Sequence, residues 1–360
     1  MSNSLTQLAL KKFKKNRSGL FSFVYIAICG IIAVFAYLFT PDDSSNANQM
    51  HLEIHSKKPG FSVQMLTIPS QEINQQSFFT KLFFGKQNSN IEIPISDYKI
   101  TDTHLEITQY SEGSIAKQSK TYPLVKFNNK PQNFIQQKKF ILGTDKYGRD
   151  LLSRMLVGTR ISFFIGFIAV FISLIIGITI GSIAGYFGGK IDTFIMWLIN
   201  ITWSIPTLLL VIAITLALGK GFWQVFVAVG LTMWVEVARV VRGQIMSTKE
   251  QQYVEAAKAL GFSNARIIFK HILPNIMAPI IVISAANFAA AILIESGLSF
   301  LGIGAQPPTP SWGAMIKDHY SYIILGKAYL AVIPGLAIMS LVMAFMLIGN
   351  ALRDALDVRN

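Results

Sequence analysis

The sequence predicts an all-α polytopic membrane protein with six transmembrane helices, both termini inside, and a small β-containing insert outside. Of its 360 residues, 52% are hydrophobic and 14% are charged, and the mean hydropathy is +0.46. Soluble domains are rarely this apolar. Six apolar runs are about long enough to cross a bilayer, and most Lys and Arg outside the insert lie on one side of them. The composition therefore excludes an ordinary soluble domain.

Residues 1–40 are predicted to form a cytoplasmic N-terminus and the first transmembrane helix. Five cations precede an apolar run over 20–39: Lys11, Lys12, Lys14, Lys15 and Arg17. A cleaved signal peptide would have a shorter apolar region and a small-residue cleavage site, whereas this run ends in large residues up to Phe39. The run therefore predicts an uncleaved helix that crosses from inside to outside.

Residues 41–140 are predicted to be a soluble insert at the outer face. They are rich in Asn, Gln, Ser and Lys and contain no spanning run. Alternating apolar and polar residues at 91–93 and 98–110 predict short β-strands. His51, His55 and His104 lack the carboxylate or thiolate partners of a metal site, so no metal site is predicted.

Residues 141–360 are predicted to form a core with five more spans, over 161–187, 191–218, 222–238, 276–294 and 328–349. Six spans place both termini inside. The inner segments then hold 14 Lys and Arg and the short outer loops hold 3, in agreement with the positive-inside rule. The net charge of +13 is therefore a topology signal, and no nucleic-acid partner is predicted.

Two features of these spans predict contacts inside the membrane. Gly177, Gly181 and Gly185 form a small-residue face against which another helix can pack closely. The candidates for a translocation path are polar or aromatic residues in two of the spans: Asn200, Trp203, Ser204 and Glu295. Interhelical hydrogen bonding is the alternative for Asn200, and anchoring of a helix end at the hydrated interface is the alternative for Glu295.

Residues 239–275 form a basic segment between two spans. Good helix formers over 253–260 and an Ile-rich pattern over 264–273 predict two short helices. Gly261 supplies the left-handed residue that ends the first helix, and Ser263 is placed to cap the second. Pro274 marks the start of the next span. The segment, called the elbow below, is predicted to be amphipathic and to lie on the inner membrane face.

Six residues of the elbow stand at a characteristic spacing: Glu255, Ala256, Ala257, Gly261, Leu273 and Pro274. This pattern resembles the ATPase-coupling loop of the permease subunits of bacterial ABC importers. The two alanines let a partner surface approach the helix, and Glu255 can pair with a cation or a helix N-terminus. His271 departs from the pattern, which often has a branched apolar residue at that position.

Two further blocks resemble the dipeptide, oligopeptide and nickel branch of that family. They read LGTDKYGRDLLSRMLVGTRIS over 142–162 and LSFLGIGAQPPTPSWGAMI over 298–316. In physical terms the first block predicts a polar interfacial helix, with Asp145 and Asp150 able to pair with Arg149 and Arg154.

The resemblance implies a type I ABC importer permease fold in the bacterial inner membrane, with residues 41–140 in the periplasm. It implies a heterodimer with a second homologous permease, two cytoplasmic ATPases and an extracytoplasmic substrate-binding protein. This chain would then be no enzyme, with no catalytic residues and no cofactor or metal of its own, because the ATPases bind ATP and Mg. The implied substrates are di- and oligopeptides, and nickel, glutathione or another small solute is the alternative.

A stand-alone secondary transporter or channel is the alternative from a different class. It predicts ionisable residues near the midplane and inverted repeats. The sequence contains no such repeat, and its apolar runs are almost free of acids.

Overall fold

A computed structural model describes residues 5–69, 76–87, 90–112, 118–127, 130–219 and 221–356. Lys220 and Arg359, two of the cations counted in the topology argument, lie outside these ranges. The chain forms two compact units. The first unit comprises Met1–Gly30, Ser162–Gln306 and Leu336–Asn360, and the second comprises Ile31–Ile161 and Pro307–Gly335.

The structure is mostly helical, with one β-sheet. The helices are α1 (Leu5–Lys15), α2 (Arg17–Phe39), α3 (Phe78–Phe84), α4 (Leu151–Phe187), α5 (Gly189–Ser204), α6 (Thr207–Leu218), α7 (Phe222–Thr248), α8 (Gln252–Ala259), α9 (Asn264–Arg266), α10 (Met277–Phe300), α11 (Trp312–His319) and α12 (Tyr329–Leu356). The strands are β1 (Phe61–Ile68), β2 (Ile91–Ile100), β3 (His104–Gln109), β4 (Ser119–Pro123) and β5 (Ile135–Phe140).

Five helices of the described chain are long and apolar enough to cross a membrane. They are α2, α4, α7, α12 and the stretch Asn264–Phe300 that contains α10. Helices α5 and α6 form an apolar pair bent by 91°, which makes a sixth span if the pair counts as one. The prediction of a helical multi-span chain is therefore confirmed, with five or six spans.

The bend between α5 and α6 corrects the prediction of one continuous run over 191–218. Ile205 has an extended backbone and Pro206 follows it. A residue before proline is pushed away from helical angles, and proline cannot donate the amide hydrogen that continues a helix. Hydropathy does not reveal this break, because both halves of the run over 191–218 are apolar.

The described helices also extend beyond the predicted spans. Helix α7 continues to Thr248 and so includes the first ten residues of the elbow, and α12 continues to Leu356. Before the last span, the short helix α11 begins at Trp312 and gives way to a 3₁₀ turn after His319. Charged residues at a membrane boundary are compatible with helical backbone, so these helices do not end where the apolar run ends.

Helices α4 and α7 pack in backbone contact along the predicted small-residue face of Gly177, Gly181 and Gly185, called the glycine stripe below. A Cβ atom at Gly177 would lie 2.5 Å from the Cβ of Val237, and one at Gly181 would lie 2.5 Å from the carbonyl oxygen of Ala238. A Cβ atom at Gly185 would lie 2.7 Å from the carbonyl oxygen of Arg242. The small-residue face is therefore confirmed, and α7 is its partner.

The insert in the second unit contains a five-stranded antiparallel sheet in the order β4-β3-β2-β1-β5. The strands predicted near 91–93 and 98–110 are confirmed as β2 and β3. One face of the sheet packs on a small apolar core, which includes Leu66, Leu105 and Phe127. The insert therefore has a hydrophobic core of its own.

Candidate functional site

The first half of the elbow has the predicted local structure. Helix α8 ends before Gly261, which has a φ of +75°, a conformation that glycine adopts without steric cost. The Ser263 side chain then accepts a hydrogen bond from the backbone N–H of Arg266 at 3.4 Å. The predicted helix stop and cap are both confirmed.

The second half of the elbow differs from the prediction. Helix α9 has one turn and continues through a wide π turn at Ile267–Ile272 and a 3₁₀ turn at Leu273–Ile276 into α10. The helical path therefore does not stop before Pro274. Because Pro274 has no N–H, the regular hydrogen-bond pattern is interrupted there, and the Asn275 side chain donates to the carbonyl of His271 at 2.6 Å.

The inner side of the elbow packs on the chain itself. Val254 and Ala257 belong to a buried cluster with Ile272 and with Val241 and Ile245 of α7. Ala257 is only 3% exposed. The prediction that Ala257 presents a small surface to a partner is therefore wrong, because α8 turns this residue toward α7.

The side of the elbow that faces away from α7, called its outer side below, is not covered by the described residues of this chain. Glu255, Ala256, Gly261 and Pro274 are exposed there, and Leu273 is half-buried. Leu260 and Phe269 are also largely exposed, although both are large and apolar. Sequence reasoning missed these two residues, although Leu260 adjoins the signature glycine. Large apolar side chains exposed on a protein surface are typical of an interaction site.

His271 has a structural role in this elbow. Its ring stacks on Phe262, with 5.7 Å between the ring centroids. The guanidinium of Arg266 lies 4.1 Å from the centroid of the Phe262 ring. An aromatic residue at 271 therefore builds a local stack at the turn between the two halves.

Arg239 contacts two of the predicted path residues. Arg239 of α7 donates a hydrogen bond to the Oδ1 atom of Asn200 at 2.7 Å, and its guanidinium carbon lies 3.6 Å from the ring centroid of Trp203. Ser204 instead donates to the carbonyl of Ile201 in its own helix at 2.7 Å. The interhelical hydrogen bond expected as the alternative role of Asn200 is therefore present. The sequence separation of Arg239 from α5 hid this contact.

A cavity of about 170 Å³ lies beside Trp203 in the first unit. Its polar or aromatic lining consists of Thr202, Trp203, Thr207, Thr232 and Glu236. Glu236 was not singled out from the sequence, although a carboxylate inside an apolar run is a signal of function. A second acid missed in this way, Asp192, forms a bidentate ion pair with Arg242 at 2.5 Å for both contacts.

The alternative given for Glu295, an anchor at a hydrated helix end, is wrong. Helix α10 continues past it to Phe300, and Glu295 is 1% exposed. Ser299 donates a hydrogen bond to its Oε1 atom at 2.7 Å and accepts one from the Ala305 N–H at 3.2 Å. Glu295 thus helps to fix the turn after α10, and it is not among the residues that line the described cavity.

The block over 142–162 forms a buried polar network in the second unit. Asp145 binds Arg149 through a 2.6 Å contact and lies 3.7 Å from the Nε atom of Arg154. The predicted pairing of Asp150 with an arginine is wrong. Asp150 accepts a 2.8 Å hydrogen bond from the Ser153 N–H at the start of α4, which is the geometry of a helix N-cap. The interfacial helix predicted from residue 142 begins only at Leu151.

His319 joins this network. The Lys146 N–H donates to its Nε2 atom at 3.3 Å, and its Nδ1 atom lies 2.7 Å from the Met315 carbonyl. This geometry assigns the neutral tautomer with the proton on Nδ1. Burial lowers the pKa of His319 below its ordinary value, against the opposing effects of the Met315 carbonyl, Asp145 and Asp318.

Comparison with known proteins places these features in one family. Residues 177–360 match the family described as binding-protein-dependent transport system inner membrane component. Residues 4–59 match the N-terminal TM domain of oligopeptide transport permease C.

Three curated relatives are permeases. The dipeptide transport system permease protein of Alkalihalophilus pseudofirmus is 44% identical over 60% of this chain and 70% of the relative. That of Bacillus subtilis is 40% identical over 63% of this chain and 71% of the relative. The glutathione transport system permease protein of Pectobacterium atrosepticum is 41% identical over 60% of this chain and 71% of the relative.

Proposed function

Because this chain belongs to the family of binding-protein-dependent transport system inner membrane components, we propose that it is the permease subunit of an ATP-driven importer that carries di- and oligopeptides across the bacterial inner membrane. It works with a second homologous permease, two cytoplasmic ATPases and an extracytoplasmic binding protein. ATP and Mg bind to the ATPases. This chain contributes the path and the coupling surface.

The outer side of the elbow is the observation that carries this proposal. Glu255, Ala256 and Gly261 are exposed, and so are the apolar side chains of Leu260 and Phe269 in the same elbow. A groove on an ATPase would cover these apolar side chains, and a cation or helix N-terminus in that groove would pair with Glu255. The elbow is therefore the ATPase-docking surface of the proposed complex.

The packing of α8 supports a route for coupling. Val254 and Ala257 pack directly on the last turns of α7, which is continuous from Phe222 to Thr248. Arg239 on that helix contacts Asn200 and Trp203. Movement of the docked ATPases would shift α7 as a rigid body and displace the residues beside the cavity.

The proposed topology has six spans, with the bent pair α5–α6 counted as one, and both termini inside. The elbow is then cytoplasmic and the insert periplasmic. Cysteine labelling in a Cys29→Ser background tests this arrangement with two exposed positions, Ser119 and Ser263. An impermeant reagent added from the periplasmic side should label Ser119→Cys and spare Ser263→Cys, and the reverse pattern would overturn the topology.

Two relatives of similar identity to this chain are named as a dipeptide permease and a glutathione permease. Glutathione is therefore the second candidate substrate. The complex purified through a tag on this chain should contain a second permease and two ATPases. In proteoliposomes with its binding protein, dipeptides should stimulate ATP hydrolysis and accumulate inside. Stimulation by glutathione alone would favour the second candidate, and a complex without an ATPase would overturn the importer proposal.

A further inference from the structure

Helix α3 carries an exposed aromatic surface that the proposed function does not use. Its sequence is FFTKLFF, and Phe78, Phe79 and Phe84 are 68%, 69% and 65% exposed. Leu82, on the same helix, is buried. Large apolar side chains clustered on a free surface indicate that something covers them.

Contacts with the outer part of α2 fix the position of α3 relative to the predicted bilayer. The Arg160 guanidinium donates to the carbonyls of Ala33 and Val34 in α2 at 2.9 and 3.0 Å. The same guanidinium donates to the carbonyl of Phe83 in α3. One side chain therefore ties α3 to a point inside the apolar helix, about 8 Å before its end at Phe39.

The segment after α3 is held to the same place. A Cβ atom at Gly85 would lie 2.7 Å from the Tyr37 ring. The Lys86 N–H donates to the Asp43 carbonyl at 2.8 Å, and the Lys86 side chain pairs with the Asp43 carboxylate at 2.5 Å. Helix α3 therefore lies beside the end of α2 and is fixed there at both its last turn and the residues that follow.

This position lies at the edge of the membrane. Helix α2 has 23 residues, about 35 Å of helix, slightly more than the ~30 Å hydrocarbon layer. Leu38 and Phe39 at its end are exposed and apolar, so large apolar side chains are exposed both on α3 and on the end of α2 beside it. Interfacial helices bury Phe, Trp and Leu side chains at the boundary between headgroups and acyl chains, and the exposed Lys81 of α3 can extend to lipid headgroups.

We propose that α3 is an interfacial anchor whose Phe78, Phe79 and Phe84 insert into the leaflet on the side of the insert and hold the insert against the bilayer. The occupant is lipid, because the helix is fixed beside the membrane end of α2. This inference depends on the membrane location of the chain and is independent of its substrate.

Tryptophan fluorescence in nanodiscs tests the anchor. Phe79→Trp is prepared in the full chain together with its partner subunits, in phosphatidylethanolamine and phosphatidylglycerol with or without brominated acyl chains. The wild-type signal from the five native tryptophans is subtracted. Val125→Trp is the matched control, because Val125 is also in the insert and is 78% exposed but lies outside α3.

Brominated lipid should remove most of the emission added by Phe79→Trp and leave that of Val125→Trp unchanged. Bromine near the headgroup end of the chain should quench more strongly than bromine near the bilayer centre. Equal, unquenched emission from both variants would overturn the anchor. Protection of Phe79→Trp from aqueous iodide only after addition of the binding protein would assign the surface to that protein and also overturn it.

Discussion

The guanidinium carbon of Arg239 lies 3.6 Å from the ring centroid of Trp203, and the same arginine donates a hydrogen bond to Asn200. This cation–π contact joins α7, which leads to the elbow, to α5, which borders the cavity. Two of the four residues that the sequence assigned to a path, Asn200 and Trp203, are thus connected to the helix that reaches the elbow.

We expect Trp203→Leu to weaken this connection and reduce uptake per ATP hydrolysed, while ATPase binding is unchanged. A cation–π contact at an exposed site contributes about 0.5–1 kcal/mol. Trp197→Leu is the control, because both tryptophans are 57% exposed and Trp197 stacks on Phe194. Transport and hydrolysis are measured together in proteoliposomes. Equal losses in the two variants would contradict a specific role for the Arg239 contact.

Ala256 and Ala257 should respond differently to the same enlargement. Ala256→Trp places its bulk on the free side of the elbow, so it should leave stability unchanged and reduce ATPase co-purification. Ala257→Trp overpacks the cluster against α7 and should lower stability by about 1–3 kcal/mol. Thermal unfolding in detergent and co-purification separate the two effects. Normal ATPase binding by Ala256→Trp would exclude this face from docking.

The glycine stripe should tolerate no side chain. In Gly181→Ala the new methyl group would lie 2.5 Å from the Ala238 carbonyl, so α4 and α7 must separate, at a cost of about 1–3 kcal/mol. Gly243→Ala in α7 is the control, because a Cβ there meets no atom within 4 Å, and helix propensity favours alanine by up to about 1 kcal/mol. Opposite shifts in the thermal midpoint are expected, and equal shifts would argue against close packing.

The ion pairs of the second unit should differ in strength according to burial. Asp145 and Arg149 are both buried, so Asp145→Asn should destabilise this unit by about 3–5 kcal/mol by leaving a buried charge uncompensated. Asp43 and Lys86 are partly exposed, and Asp43→Asn should cost no more than about 1 kcal/mol. The destabilisation caused by each substitution is measured by hydrogen exchange at the Gly148 and Ser56 amides. Similar exchange rates in the two variants would contradict the ranking.

Stability should fall in mild acid through His319. Because burial lowers its pKa in the folded chain, the unfolded chain binds the additional proton as pH falls below about 6.5. Stability is thus fully present above that pH and declines below it. Burial also lowers the pKa of His51, so His319→Asn should remove only part of the pH dependence. Thermal midpoints between neutral and mildly acidic pH measure the slope, and an unchanged slope in His319→Asn would refute this role.

Local signals in the sequence were sufficient where a feature depends on neighbouring residues. The four-residue spacing of the glycines, the left-handed Gly261 and the Ser263 cap are all of this kind. The bend at Pro206 was also locally encoded, but the apolar run obscured it. The pattern could not tell which of Ala256 and Ala257 faces a partner, because that depends on how α8 rotates against α7.

Contacts between distant segments required the structure. Asp145 and Asp150 stand near the same arginines in sequence, yet only Asp145 pairs with them, because Asp150 caps α4. Arg239 is separated from Trp203 by the whole of α6 and part of α7. The position of α3 beside α2 likewise depends on Arg160, which comes long after both helices in the chain.

The backbone contact between α4 and α7 also constrains the order in which the chain is assembled in the membrane. Helices α5 and α6 lie between these two partners in sequence and leave the ribosome after α4 and before α7. Because Gly177, Gly181 and Gly185 have no side chains to keep α4 and α7 apart, lipid must leave the space between the two helices completely before their backbones meet. The contact between α4 and α7 can therefore form only after α7 has followed α5 and α6 out of the ribosome.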